Sequence, residues 1–159
     1  MARVLFLCTG NTCRSPLAEI FARDLHEESG LIFESAGLQV MGRKPASESS
    51  LQVAREHGLD LDNFWSRPVS HDLLQDTCWV IGMTRSHAAI FRSRFRGCHE
   101  ASVGVLGAPG VDLSAVKASP PCEEIDDPYG DSFETYQRAG QQIKGLLQQW
   151  AATFAGPNT

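Results

Sequence analysis

Cys8 and Arg14 stand six positions apart in Cys8-Thr-Gly-Asn-Thr-Cys-Arg-Ser-Pro16, between the apolar run Val4–Leu7 and the helix-patterned segment Leu17–Leu25. A sulfur nucleophile at the end of a buried strand, followed by a guanidinium at the start of a helix, can hold a phosphate and attack it. The stretch Thr9, Gly10, Asn11, Thr12, Cys13, Arg14 can turn successive backbone N–H groups inward as a nest for an anion. A helix behind that nest adds roughly half a positive charge at its N-terminus. Gly10 permits a positive φ and Asn11 is among the few other residues that tolerate one. The Asn11 amide can also pin the loop. Arg14 offers a planar fork matched to two phosphate oxygens, and the same positive surroundings favour the thiolate of Cys8. Ser15 is read as the N-cap and Pro16 as the first helical residue. A Ser15 hydroxyl facing the sulfur would stabilise the thiolate further.

Thiolate attack needs a proton donor for the leaving group. The acidic stretch Glu123-Glu-Ile-Asp-Asp-Pro-Tyr-Gly-Asp131 is the natural source. Asp127 precedes proline, which biases its backbone toward an extended form and can project the carboxyl over a pocket. On residue type alone Asp126 serves as well.

The elements that must position these groups alternate between strand and helix. Val4–Leu7 is a continuous apolar run, as expected of a strand buried on both faces. Leu17, Ile20, Phe21 and Leu25 follow helical spacing and stop near Gly30. Leu31–Ser35 reads as a second strand closed by Ala36-Gly37. Ser47 caps a helix carrying Leu51, Val53 and Ala54, with Gly58 as its stop. His71–Asp76 reads as a short helix, Cys78–Met83 as a strand, and Thr84 as the cap of a helix with His87, Ile90, Phe91 and Phe95. Ser102–Leu106 is a fourth strand, and Gly107–Pro121, rich in Gly, Pro and Ala, is a loop. A last helix begins near Ser132, with Ile143, Leu146, Leu147, Trp150 and Phe154 on one face. This order predicts an α/β fold, a single domain over residues 1–155 with a four-stranded parallel sheet and helices on both faces, and a frayed tail over 156–159. Ligands of such sheets bind beyond the carboxyl ends of the strands, where Cys8 lies.

Composition narrows the function classes. A net charge of -5 over 159 residues argues against a general nucleic-acid binder. The first apolar stretch ends at Cys8, too short for a signal peptide or a membrane span. The five cysteines, Cys8, Cys13, Cys78, Cys98 and Cys122, are odd in number and irregular in spacing, which argues against a disulfide scaffold and for a reducing cytoplasm. No CxxC or HExxH occurs, so no zinc is expected. The five histidines show no ligand spacing and read as surface or capping residues. Trp65, Trp79 and Trp150 read as core, and Cys78, Cys98 and Cys122 as small buried hydrophobes. Nothing in the sequence specifies an oligomeric state.

Together, Cys8–Pro16, Ser35-Ala36-Gly37, Gly82-Met83-Thr84, Asp127-Pro128 and the final helix resemble the low-molecular-weight protein-tyrosine-phosphatase family over nearly the whole chain. That resemblance implies a four-stranded parallel sheet flanked by helices, a phosphorylated protein as substrate, and no metal or organic cofactor. It implies Cys8 as nucleophile, Arg14 as phosphate clamp and Asp127, rather than Asp126, as general acid. It also implies Asn11 and Ser15 as loop organisers, Ser35 as a residue that ties the loop down, and Cys13 as the thiol that traps an oxidised Cys8 as a disulfide. Thr9, Gly10, Thr12 and Tyr129 would complete the substrate contacts. Two details resemble the protein-arginine-phosphatase branch. Thr12 stands where tyrosine-specific relatives usually carry a bulky aliphatic residue, and Tyr129 is a single aromatic followed directly by Gly130. A hydroxyl at the rim suits a polar guanidinium better than a phenol ring, and one aromatic wall stacks a ring less well than two. Phosphoarginine is therefore the favoured substrate, with phosphotyrosine as the alternative. Arsenate reductase chemistry lacks the cysteine pair it would need near Thr84–Ala89. A binding-only module would not need both nucleophile and acid.

Overall fold

Four parallel strands lie in the order β2-β1-β3-β4, in a computed structural model that describes residues 2–114 and 121–156. β1 is Arg3–Cys8, β2 Ile32–Gly37, β3 Thr77–Gly82 and β4 Ser102–Val105. The helices are α1 (Arg14–Leu25), α2 (Glu48–Glu56), α3 (His71–Leu74), α4 (Arg85–Arg94), α5 (Phe133–Gln149) and α6 (Ala151–Ala155). The fold is the α/β arrangement that the strand and helix order predicts.

β1 explains why its sequence shows no polar alternation. Val4, Phe6 and Cys8 face a core built with Leu17 and Phe21 of α1 and Ile143 and Leu147 of α5. Leu5 and Leu7 face the opposite core, with Leu73 and Leu74 of α3 and Phe91 of α4. A strand covered on both sides keeps apolar residues at every position. The chain leaves β1 toward β2 and later returns to β3 on the other side. The carboxyl end of β1 therefore opens onto the crevice where the strand order switches.

Several boundaries differ from the sequence reading. α1 begins at Arg14, with Cys13 as its N-cap and no side-chain capping bond. Ser15 is therefore not the cap, and Pro16 sits third in the helix rather than first. Proline is tolerated there because first-turn N–H groups have no intrahelical partner. The last helix breaks at Trp150, whose backbone (φ -82°, ψ -2°) closes α5 before α6 starts. Both sides of the break still bury Trp150 and Phe154, which stack at 5.5 Å. Trp65 is half exposed under Arg43, whose guanidinium lies 5.2 Å from the ring. Cys98 is exposed, and Cys78 and Cys122 are only partly buried. Within the expected loop 107–121, Gly107 pairs with Glu123 in an isolated antiparallel bridge, and residues 115–120 lie outside the described residues. So does the expected tail beyond Gly156. Among the described residues no helix is long and apolar enough to cross a membrane.

Candidate active site

The loop between β1 and α1 is held from outside by its carbonyls. Leu38 N–H donates to Cys8 O (3.0 Å), Gln39 N–H to Thr9 O (2.9 Å) and Ser47 N–H to Thr12 O (2.9 Å). The Ser50 hydroxyl donates to Cys13 O (3.1 Å). With these carbonyls turned outward, the N–H groups of the same peptides are left for the concave side, the arrangement of an anion nest. Asn11 takes the positive φ (58°) that the reversal requires. Gly37 keeps the flank clear: a Cβ there would lie 2.7 Å from Thr9 O and 3.1 Å from the Asn11 Cβ.

Asn11 is fully buried and spends its whole side chain on this shape. Its Oδ1 accepts from Arg67 N–H (3.0 Å), while Nδ2 donates to Ser15 Oγ (2.8 Å) and Ser35 Oγ (3.0 Å). Ser35 in turn donates to Glu19 Oε1 (2.9 Å). Because Ser15 Oγ accepts from Asn11, its own proton is free to point at Cys8 Sγ, 3.0 Å away. Asn11 N–H adds a second donor to that sulfur at 3.3 Å. The Ser15 hydroxyl and the Asn11 N–H thus both face one buried sulfur. Ser15 is the second residue of α1 and does not cap it; its oxygen already accepts from Asn11 Nδ2.

Arg14 is buried and its Nη1 donates to the carbonyl of Ile125 (3.0 Å). Its Nη2 lies 3.8 Å from Asp127 Oδ2, and its buried Nε has no hydrogen-bond partner among the described residues. An unpartnered buried donor is costly unless something polar meets it. Ile125 N–H donates to Met83 O (3.1 Å), which docks the acidic segment on the end of β3. Asp127 is half exposed, and its Oδ1 accepts from Tyr129 N–H (3.0 Å) in a local turn. Asp126 is exposed.

Thr12 and Gly10 form the rim, continuous with a groove of about 440 Å³ that Met41, Lys44 and Tyr129 also line. Tyr129 is exposed there. The Cys13 thiol faces Tyr136 Oη (3.5 Å) and Ser47 Oγ (3.6 Å). Burial pushes the Tyr136 hydroxyl well above its ordinary range. Among the described residues no group of three or more His, Cys, Asp or Glu side chains is placed to hold a metal ion.

The structure thus brings Cys8, Thr9, Gly10, Asn11, Thr12, Arg14, Ser15, Ser35 and Asp127 to one end of the sheet. The Cys13 thiol lies between Tyr136 of α5, Ser47 and the Thr12 hydroxyl, 3.8 Å away. Sequence reasoning missed Glu19 and gave His87 only a surface or capping role. Glu19 falls one turn after Ser15, so it shares the face that meets the loop. Burial raises its carboxyl above the usual range, against the lowering pull of Arg23, whose Nη2 is 3.1 Å away. His87 does cap α4, and it also reaches Thr9. Histidine in the third-position slot usually held by Glu or Gln was the available signal.

Comparison with known proteins places the chain in a family. Residues 3–156 match the family described as low molecular weight phosphotyrosine protein phosphatase. The chain is 30% identical over 155 residues to a protein-arginine-phosphatase of Bacillus subtilis, covering 93% of each chain. It is 32% identical over 148 residues to the low molecular weight protein-tyrosine-phosphatase Wzb of Escherichia coli K12, covering 93% of this chain and 92% of that one. A solved structure of the YwlE arginine phosphatase from Geobacillus stearothermophilus superposes with a TM-score of 0.79 at 26% identity, covering 96% of this chain and 92% of that one. The chain belongs to the low molecular weight phosphotyrosine protein phosphatase family, and it is a protein phosphatase of that family.

Proposed function

We propose that this protein removes phosphate from phosphorylated arginine side chains of proteins in two displacements through a phosphocysteine. The Cys8 thiolate attacks phosphorus. The bond from phosphorus to the leaving nitrogen breaks, and Asp127 protonates that nitrogen. Arg14 and the loop amides stabilise the equatorial oxygens as charge develops. Water then attacks the phosphocysteine with Asp127 as base, which releases inorganic phosphate and restores the thiolate. The observation that carries this reading is the convergence on one cradle of a sulfur with two donors aimed at it, an arginine with a buried unpartnered Nε, and a carboxylate beside that arginine.

The preference for phosphoarginine is supported by the Thr12 hydroxyl at the rim and by one exposed aromatic, Tyr129. Likeness to the Bacillus protein-arginine-phosphatase adds to it. Phosphotyrosine is the second reading, favoured by likeness to Wzb. Asn11, Ser15 and Ser35 act as loop supports, and Cys13 resolves oxidised Cys8 as a disulfide. The five free cysteines suit work in the cytoplasm.

Two assays test the proposal. Wild type should hydrolyse p-nitrophenyl phosphate without added metal, and Cys8→Ser should not; substantial residual hydrolysis in Cys8→Ser removes the mechanism. kcat/KM on phosphoarginine peptides should exceed that on phosphotyrosine peptides, and Thr12→Ile should shift the ratio toward phosphotyrosine. A ratio unmoved by that substitution removes the substrate argument.

A further inference from the structure

His87 belongs to α4, yet its ring lies against the loop that carries the nucleophile. It is buried, 4% exposed. Thr84 N–H donates to its Nδ1 (3.2 Å), while the His87 N–H donates to Thr84 Oγ1 (3.3 Å). An Nδ1 that accepts carries no proton, so in the neutral ring Nε2 does. Nε2 lies 3.1 Å from Thr9 Oγ1. The ring therefore donates to Thr9, the residue directly after Cys8. β3 is shaped to admit this contact: a Cβ at Gly82 would lie 2.9 Å from the His87 Cβ. The Thr9 peptide is thereby held on two sides, its carbonyl by Gln39 and its hydroxyl by His87.

We propose that His87 is a positioning residue for the reaction: anchored on the Thr84 amide, its ring holds the Thr9 hydroxyl and so fixes the first peptide of the anion nest relative to Cys8. His87 touches no reacting atom and acts through Thr9. A capping role alone needs only the bonds between Thr84 and His87. The third bond, across to β1's loop, adds nothing to the helix end and ties α4 to the nucleophile's neighbour. The proposal rests on the phosphatase reading of the cradle.

The test is a double-mutant cycle with His87→Ala, Thr9→Val and the pair, read by kcat and KM on p-nitrophenyl phosphate, by vanadate inhibition and by Tm. Each single variant should lower kcat about tenfold, the size expected for one neutral hydrogen bond that serves orientation. Vanadate should weaken in parallel, KM should change little, and the double variant should be no slower than the slower single. His87→Gln has an acceptor and a donor on one side-chain amide and should restore most of kcat. Additive losses in the double variant, or a His87→Ala that lowers only Tm, overturn the proposal. Should His87→Ala fail to fold, Thr9→Val at full wild-type kcat overturns it. Failure of wild type to turn over p-nitrophenyl phosphate sinks the phosphatase reading instead, which separates the two.

Discussion

Acid should destabilise this protein through His87, and a single variant isolates the effect. Burial, and next the charge of Arg14, hold the His87 imidazole down to about 4, from an ordinary 6.5. Asp127 and Glu124 pull the other way without restoring it. In the unfolded chain the ring takes a proton as pH falls below 6.5, while in the folded protein it stays neutral until about 4. Within that window the unfolded state binds more protons, so stability falls as pH falls and levels off below it. A gap of roughly two to three pH units corresponds to about 3 kcal/mol. The cost has a structural face: a protonated Nδ1 would place N–H against the Thr84 N–H that it now accepts. The assay is urea unfolding of wild type and His87→Gln from about pH 7.5 to about pH 4. Other groups titrate in both proteins, so the difference reports the ring. Wild type should lose about 3 kcal/mol more than the variant across this range. Superimposable stability curves would refute the reasoning.

Three further outcomes follow from the contacts described above. Asn11→Ala removes two donated bonds and one accepted bond and places alanine at φ 58°; it should cost about 3–5 kcal/mol by chemical denaturation, and a loss under about 1 kcal/mol would show that the network is dispensable. Gly107→Ala puts a methyl group 1.8 Å from the main-chain oxygen of Glu123, so it should cost about 3 kcal/mol, and an unchanged Tm would refute the close approach. Asp127→Ala should lower kcat about 100-fold on substrates with poor leaving groups and far less on p-nitrophenyl phosphate, with Asp126→Ala near wild type; the reverse pattern would move the acid by one residue.

What was legible in the sequence was whatever burial writes as a pattern. Val4–Leu7 announces a strand covered on both faces and Cys78–Met83 a strand, and both are central in the sheet. The Ser47 and Thr84 side chains accept from N–H groups at the starts of their helices, as the sequence reading expects, and Ser132 does so where the last helix is expected to begin; the cap at Ser70 is not among the expectations. The misplaced start of α1 has a non-local cause. Ser15 has the chemistry of a cap, but its oxygen accepts from Asn11 Nδ2 and its proton faces Cys8 Sγ. The size of Trp65 argues for the core, whereas Arg43 covers one face and leaves the rest in solvent. His87 and Glu19 were underread for the same reason: each acts on the loop across a tertiary contact that no spacing along one helix reveals.

The bond from Arg14 Nη1 to Ile125 O ties the arginine to the segment that carries Asp127. On the proposed mechanism, one side chain thus registers both the visitor's charge and the station of the proton carrier. By linkage, any influence of residues 123–129 on oxyanion affinity is matched by an equal influence of a bound oxyanion on that segment. A lineage that remodels this stretch to greet a new leaving group therefore retunes its grip on phosphate in the same stroke.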